Sequence, residues 1–316
     1  MPKEGRVKDP MHLTELPLHA VRGRALVAAC AAFLVLLAIV APVFAAEPID
    51  ARDGGTAPRR IAPPAPKVPV VRPSPTPTAT PTPPEPALGF DVSWPQCNDD
   101  HPAHIGFAIV GVDGGRVYKP NPCLVEQLEW AGEGGDLYIN TANPGPRQSE
   151  YWPSGVDQPR HCDTDELPGA QTMSCAYVYG WNAAADSYAR ARDAYAELGW
   201  IDSDEDRLSS DITWWLDVET ANSWMRNREL NVASLHGAVD YLESVGAEDI
   251  GFYSTPLLWW RITAGTDDFA DHAAWHAGGH TQEEAAERCE HDAFTGGSLR
   301  FVQWIEDGID RNLRCP

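Results

Sequence analysis

Residues 88–316 are predicted to fold as one α/β domain, a barrel of strands surrounded by helices. Short apolar and β-branched runs alternate with segments of helical periodicity, which is the pattern of repeated βα units. Seven strands are visible, and with one strand missed they suit an eight-stranded barrel better than an open sheet. The 229 residues of this region agree, since one such barrel needs about 200–250 residues.

The predicted strands are short and end close to polar residues. Helical periodicity between them is clearest where Leu235, Val239 and Leu242 follow at i, i+4 and i+7, with Gly246 as a stop. The segment 145–176 is rich in Pro, Gly and Asp and is predicted to be a long loop. The strands are predicted at 89–93, 107–112, 136–140, 213–219, 250–254, 273–277 and 300–304, and the helices at 122–131, 182–198 and 232–245.

The first 46 residues predict export. Residues 25–46 form 22 consecutive residues without a charge, long enough to cross a bilayer as a helix. Arg22 and Arg24 precede the run and Glu47 follows it, so residues 1–24 are expected in the cytoplasm and the rest outside. A signal anchor is favoured over a cleaved signal peptide, because the n-region and the apolar run are both long for a cleaved signal. The protein is then a single-pass membrane protein, or a secreted one if cleavage occurs.

Residues 47–87 are predicted to be a disordered linker. They contain 13 prolines in 41 residues and no aromatic residue, a composition that cannot bury a core. All 12 Trp and all 9 Tyr lie beyond it, in the predicted barrel. The simplest interpretation is a passive linker, and the alternative is a spacer that holds the barrel away from the membrane.

Charge and cysteine content narrow the class of protein. Residues 88–316 carry 39 Asp and Glu against 14 Lys and Arg, which argues against nucleic-acid binding. Six cysteines in an exported domain suggest three disulfides, for which 15 connectivities exist in principle. Sequential pairing is favoured because each bond then closes a short loop. The predicted bonds are Cys97–Cys123, Cys162–Cys175 and Cys289–Cys315.

The candidate site residues follow the predicted strands. In a parallel barrel the C-terminal ends of the strands converge on one face, where active sites of barrel enzymes lie. Taken singly, these side chains also have structural explanations, such as turn capping for Asp91 or core packing for Trp275 and Trp304. The residues at these ends are Asp91, Asp113, Asn140, Asp217, Glu219, Tyr253, Trp275, Gln303 and Trp304.

Asp217 and Glu219 are the strongest catalytic candidates. At positions i and i+2 of one strand they project to the same side, while Val218 faces away. Their mutual repulsion should raise one pKa, which provides an acid and a base at the same pH. Such carboxylate pairs cleave glycosidic bonds.

Other classes of site have no support in the sequence. There is no G-x-G-x-x-G motif after a strand, no phosphate-binding lysine loop and no G-x-S-x-G motif. The Cys and His spacings fit no zinc template, and solvation or hydrogen bonding explains His272, His276, His280 and His291 better than a metal. We therefore expect no metal and no cofactor.

Five short motifs follow one another along the chain: GFDVS at 89–93 with Gln96 behind it, WLDVE at 215–219, GFYS at 251–254, VQW at 302–304 and GIDRN at 308–312. Together they resemble glycoside hydrolase family 25, the muramidases that cut peptidoglycan. The resemblance implies a flattened, irregular TIM-like barrel and hydrolysis of the bond between N-acetylmuramic acid and N-acetylglucosamine. It assigns Glu219 as general acid and Asp217 as the carboxylate that orients or stabilises the substrate's N-acetyl group.

The same resemblance places Asp91 on the groove floor, Tyr253 against the sugar and Asp310 in a supporting role. Two departures mark a divergent, actinobacterial-type relative. Where the family commonly has Thr-Glu-Gly after its second strand, this chain has VDGG at 112–115, so Asp113 is the nearest substitute for the glutamate. After the third strand, NTAN at 140–143 replaces an aromatic motif.

The sequence is compatible with two functions. The first is a membrane-tethered hydrolase of peptidoglycan or a related envelope glycan. The second is a catalytically impaired barrel that binds cell-wall glycan or acts as a scaffold, which the altered second-strand motif motivates. In both cases the expected partners are a cell-wall glycan and, through residues 25–46, the membrane, and the chain is expected to be monomeric.

Overall fold

The computed structural model describes residues 88–103, 105–162, 170–202 and 207–316. The basic N-terminus 1–24, the apolar segment 25–46 and the linker 47–87 lie outside these ranges. Among the described residues, no helix combines the length and the apolar character needed to cross a bilayer.

Eight strands close into a barrel in sequence order, which confirms the predicted eight-stranded barrel. Strands one to seven run parallel to their neighbours, and the eighth closes the barrel by pairing antiparallel with both the seventh and the first. The eighth is the strand that the sequence pattern missed. The strands are β1 (Leu88–Val92), β2 (Phe107–Gly111), β3 (Asp136–Asn140), β4 (Thr213–Asp217), β5 (Asp249–Ser254), β6 (Ala273–Ala277), β7 (Leu299–Glu306) and β8 (Ile309–Arg314).

Helices α1 (Leu124–Ala131), α2 (Met173–Glu197), α3 (Arg228–Ser244), α4 (Pro256–Thr263) and α5 (Gln282–Arg288) accompany the strands. Helix α2 begins well before the predicted start at 182, inside the segment predicted to be a loop. Its first turns are buried on nearly every side, from Cys175 to Gly180, so they lack the amphipathic periodicity that predicts a helix. The short helices α4 and α5 were not predicted, although Thr255 and Thr281 cap them.

Successive side chains of each strand point alternately into two separate hydrophobic cores. On β4, Trp214 and Leu216 face outwards into the core between barrel and helices, whereas Trp215 faces the barrel interior with Trp275 and Phe301. Burial of a side chain such as Phe301 stabilises the fold by roughly 1.5–3 kcal/mol. Since Asp217 follows Trp215 by two residues, the same alternation directs its carboxyl above this aromatic interior.

Helices α2 and α3 pack in direct backbone contact. A Cβ atom at Gly180 would collide with the backbone oxygen of Ser234, and one at Gly237 would collide with that of Tyr177. The two glycines therefore allow an approach that any larger residue would prevent. Ser234 Oγ also donates to the backbone oxygen of Ala142 at 2.9 Å, which ties α3 to the loop that follows β3.

All three predicted disulfides are present, joining Cys97 to Cys123, Cys162 to Cys175 and Cys289 to Cys315. Each closes a local segment, of 26, 13 and 26 residues respectively. The second bond fastens the loop after β3 to the first turn of α2. The sequential pairing is thus confirmed.

Candidate active site

A groove of about 350 Å³ opens at the C-terminal ends of the strands. Four carboxylic acids line it, and its described lining residues include no Lys, Arg or His. The strand register brings these ends together, because Asp217 of β4 pairs with Asn140 of β3 on one side and with Tyr253 of β5 on the other. The predicted residues that meet here are Asp91, Asn140, Asp217, Glu219, Tyr253, Trp275, Gln303 and Asp310.

Asp91 is held at the groove floor by two amides. Gln303 Nε2 donates to both of its carboxylate oxygens at 2.9 and 3.0 Å, and Asn312 Nδ2 donates to Oδ1 at 2.6 Å. The amides are themselves oriented, since Tyr253 donates from its hydroxyl to Gln303 Oε1 at 2.7 Å and Trp275 Nε1 donates to Asn312 Oδ1 at 2.7 Å. Each polar group in this series of hydrogen bonds has a partner, which restricts the side chains of the groove floor.

The Asp91 carboxyl holds a proton more tightly than an ordinary aspartate. Burial, and then the charge of Asp310, raise its pKa to about 7 against the lowering effect of the Gln303 and Asn312 amides. The Asp91 carboxyl at the groove floor therefore gains or loses its negative charge as the pH passes through about 7. As a carboxylate, Asp91 accepts from Gln303, which in turn accepts from the Tyr253 hydroxyl.

Asp217 is buried and fixed by Asn140, whose Nδ2 donates to Oδ2 at 2.5 Å. Burial, and then the charge of Glu219, raise the pKa of Asp217 well above its usual range. Asn222 lies beside the carboxyl and lowers that pKa, although its geometry gives no hydrogen bond to Oδ1. The charge of Glu219 thus acts on Asp217, as expected from their i and i+2 positions, although β4 ends at Asp217.

Glu219 is the more exposed member of the pair and follows the end of β4. Burial, and then the charge of Asp310, raise its pKa. The pKa of Asp310 is itself raised by burial, and Gln96 Nε2 donates to its Oδ2 at 3.3 Å. The groove therefore carries several acids that resist ionising together, which favours one protonated and one ionised carboxyl at the same pH.

The groove is rich in hydrogen-bond acceptors. Two of its acceptors, Asn140 Oδ1 and Asp217 Oδ1, are buried and have no hydrogen-bond partner among the described residues. An acceptor without a donor is costly inside a protein. A ligand that presents hydroxyl and amide N–H groups would satisfy both atoms.

Several lining residues were missed by sequence reasoning. Tyr138 lies two residues before Asn140 on β3 and so shares its face, a signal that the sequence contained. Trp94 stands at the rim with 45% of its surface exposed and Lys119 Nζ 5.1 Å from its ring. Ser93 and Asn222 also line the groove. Asn312 supports it from β8, the strand that was not predicted.

A second cavity of about 210 Å³ continues from the groove, with Ala221 and Asn222 shared between the two. Its wall includes Tyr118 and Tyr151, whose rings stack at 4.1 Å. Tyr151 is half exposed, whereas the Tyr118 hydroxyl is buried with no partner among the described residues. The loop that carries Tyr151 is the one fastened by Cys162–Cys175.

Two predicted site residues do not reach the groove. Asp113 turns towards α2, where Arg190 Nη1 lies 3.1 Å from its Oδ1 and Ser187 Oγ donates to both of its oxygens at 3.0 Å. Burial raises the pKa of Asp113 to about 7 against these partners and the Asn140 N–H. Trp304 packs outside the barrel in the cluster that contains Ala285 and Leu313. The two residues therefore have structural contacts where substrate contacts were expected.

The histidines show no arrangement for a metal. Within the described ranges, no group of three or more His, Cys, Asp or Glu side chains is placed to hold a metal ion. His276 is buried on β6, and burial, followed by the charge of Arg288, lowers its pKa to about 4. His272 Nδ1 lies 3.2 Å from the backbone oxygen of Ile250.

No protein-family model matches the sequence, and no curated protein matches it either. Solved structures with similar folds include a muramidase from Trichobolus zukalii, with 14% identity over 72% of this chain and 93% of that chain and a TM-score of 0.42. A bacterial lysozyme from Streptomyces coelicolor has 13% identity over 73% and 93% of the two chains and a TM-score of 0.43. A family GH25 lysozyme from Aspergillus fumigatus has 13% identity over 73% and 95% and a TM-score of 0.41. One of these structures belongs to glycoside hydrolase family 25, the family that the sequence motifs resemble.

Proposed function

We propose that the chain is a glycoside hydrolase that cleaves peptidoglycan or a related envelope glycan. The observation that carries the proposal is an acceptor-rich groove whose described lining residues include Asp217 and Glu219 and no Lys, Arg or His. A glycan chain supplies the hydroxyl and amide N–H donors that such a groove lacks. The rings of Trp94 and Tyr253, which line the same groove, offer the apolar surface on which sugar rings stack.

Glu219 acts as the general acid. Its raised pKa keeps a proton available, and its partial exposure leaves the carboxyl accessible to a bound sugar. The proton passes from Glu219 to the oxygen of the glycosidic bond as that bond breaks, and positive charge develops on the sugar ring. Water then completes hydrolysis at the ring carbon and returns a proton to the carboxylate.

Asp217 positions the substrate's N-acetyl group. Asn140 fixes one carboxylate oxygen, which leaves Oδ1 as an acceptor for an N-acetyl N–H group. An N-acetyl group held in this way can use its own carbonyl oxygen as the nucleophile, a route known for several glycosidases. Asp91 contributes from below by fixing Gln303 and Tyr253, and Asp310 raises the pKa of the acid Glu219.

We also propose that the barrel works outside the cell. Its three disulfides are typical of an oxidising compartment. Residues 25–46 would anchor the chain in the membrane, and the proline-rich residues 47–87 would carry the barrel towards the wall.

The decisive experiment is release of reducing ends from purified cell wall by the full chain. We expect Glu219→Gln to lower the rate by about 10²–10⁴-fold, the usual contribution of a general acid. Glu129→Gln, on an exposed glutamate of α1, is the matched control and should keep the wild-type rate. If wild type and Glu219→Gln release equally little from several wall substrates, the hydrolase proposal is wrong.

A second candidate function is glycan binding without turnover. It is favoured by the position of Asp113, which leaves the groove without an acid from the end of β2. Titration calorimetry with soluble wall fragments distinguishes the two functions. Saturable binding with no product after prolonged incubation supports the binding module, whereas product that depends on Glu219 supports the enzyme.

A further inference from the structure

Three arginines line one open depression beside the groove. Arg226, Arg228 and Arg261 contribute to the wall of a space of about 740 Å³ between the loop after β4 and the end of α4. The depression also includes the first residues of α3, whose N-cap Asn227 accepts from the Glu229 N–H at 3.2 Å. It belongs to neither of the two cavities described above.

The charge of this depression contrasts with that of its surroundings. Residues 88–316 contain only 14 basic residues against 39 acidic ones, and three of the basic residues meet here. Glu229 is the one acid among the described lining residues. In the part of the chain that the structure describes, none of the three arginines makes an ion pair with a carboxylate, unlike Arg190 or Arg300. The guanidinium groups are therefore available to an anion from outside.

Arg228 is held in position before any ligand arrives. Its Nε donates to the backbone oxygen of Arg261 at 3.1 Å, and its guanidinium lies over the ring of Trp260 at 4.6 Å from the centroid. Such a cation–π contact restricts the side chain without neutralising it. The N-terminus of α3 adds its partial positive charge at the same place.

The depression and the groove are neighbours along the chain. Thr220 lines the depression, while Glu219 and Ala221 on either side of it line the groove. The four carboxylic acids of the groove would repel an anionic group, whereas the arginines of the neighbouring depression would attract it. A polymer with neutral sugars and acidic side arms matches this separation of charge.

We propose that the arginine depression binds a carboxylate on the peptide arm of the glycan whose sugars occupy the groove. The inference rests on the proposed function, because it takes a glycan as the occupant of the groove. Guanidinium groups match the planar, two-oxygen geometry of a carboxylate. The depression thereby selects glycan chains that still carry their peptide arms.

The test compares two wall fragments of equal length by titration calorimetry with the full chain. One has free carboxylates on its peptide arm, and in the other these carboxylates are amidated. We expect the wild type to bind the free form about tenfold more tightly, with a preference that shrinks at high salt. The double variant Arg226→Gln/Arg261→Gln should lose that preference and bind the amidated fragment as the wild type does. Arg207→Gln removes an exposed arginine before β4, at the opposite end of that strand from the groove, and should keep the preference.

The outcomes separate this inference from the proposed hydrolysis. A preference that persists with no cleavage supports the carboxylate site while the enzyme proposal fails. Cleavage without any preference, or a preference unchanged in the double variant, overturns the carboxylate site. Inorganic phosphate that displaces the free-carboxylate fragment at lower concentration than acetate does would reassign the depression to a phosphate-bearing polymer and also overturn it. Equal thermal unfolding midpoints exclude misfolding, since both altered side chains are exposed.

Discussion

Asp113 and Arg190 form a contact of 3.1 Å that holds the Asp113 carboxylate against α2 and away from the groove. Arg190 also pairs with Asp186 one helical turn earlier, and Ser187 Oγ donates to Asp113 from the same helix. Asp113, which stands where the resembled family commonly has a glutamate, thus joins the chain after β2 to α2. We expect its role in this chain to be structural.

Asp113→Ala should therefore destabilise the barrel and leave ligand binding unchanged. The substitution removes the partner of the Asn140 N–H, of Ser187 and of Arg190, and breaking a buried pair costs about 3–5 kcal/mol. Asp113→Asn should cost less than half as much, because an amide oxygen still accepts from the Asn140 N–H. Urea unfolding measures the loss, and calorimetry with wall fragments measures binding. Weakened binding at unchanged stability would return Asp113 to the substrate site.

The error about Asp113 has a local physical cause. On β2, Ile109 faces the barrel interior, and uninterrupted alternation would direct Asp113 to the same side. However, the strand ends at Gly111, and Asp113 instead forms an isolated bridge with Pro120. The local sequence contains no signal for the residue at which strand pairing stops, so strand ends are predicted less well than strand centres.

Trp304 and Asn312 show the converse. Since Gln303 faces the groove, alternation alone places Trp304 on the outer side, and the sequence sufficed to exclude it. Asn312 lay in the GIDRN motif but was not assigned to the site, because β8 reads IDRNLR and lacks the apolar run by which the other strands were recognised. Three of the four acids that line the groove were found at or near predicted strand ends, whereas Asp310 was found only through a motif of the resembled family.

Asp91 should make the stability of the barrel depend on pH. Its pKa is raised to about 7 in the folded chain, by burial and then by Asp310, whereas an unfolded aspartate titrates near 3.9. Between these values the folded state holds the extra proton, so the stabilisation is complete below about pH 4 and is lost as the pH rises through 7. The full effect is at most about 4 kcal/mol, an order-of-magnitude figure from three pKa units.

The measurement is the unfolding free energy of wild type and Asp91→Asn from pH 4 to pH 8. Asparagine retains an oxygen that can accept from Asn312 Nδ2 but does not titrate. The wild-type value should therefore fall relative to that of the variant as the pH rises. Two curves that run parallel over this range would show that Asp91 is ionised throughout.

Tyr151 should contribute to binding of long glycans. Its exposed ring stacks on Tyr118 in the cavity that continues from the groove, and aromatic contacts of this kind contribute about 0.5–1.5 kcal/mol. Tyr151→Ala should raise the KM for long strands about three- to tenfold and leave the kcat for fragments that fill only the groove unchanged. Leu257→Ala, at an exposed apolar residue of α4, is the control. Equal effects on short and long substrates would contradict a separate subsite.

The disulfide Cys162–Cys175 should link stability to that same cavity. It closes a segment of 13 residues, for which the chain-entropy relation gives about 3 kcal/mol of stabilisation. Both cysteines are buried beside Trp152, next to Tyr151 in the loop after β3. Loss of the bond lets this loop move with respect to α2, so the cavity wall loses its fixed position.

Replacing Cys162 and Cys175 by Ala should thus lower stability and also raise the KM for long glycans. Replacing Cys289 and Cys315 is the matched control, since that bond joins the end of α5 to the chain after β8, away from the second cavity. Its loss should cost a similar free energy, about 3.5 kcal/mol for a 26-residue separation, with no change in the preference for long strands. Urea unfolding together with KM for short and long substrates resolves the two effects. If both pairs of substitutions raise the KM for long strands equally, general loosening of the barrel explains the result and the loop has no specific role.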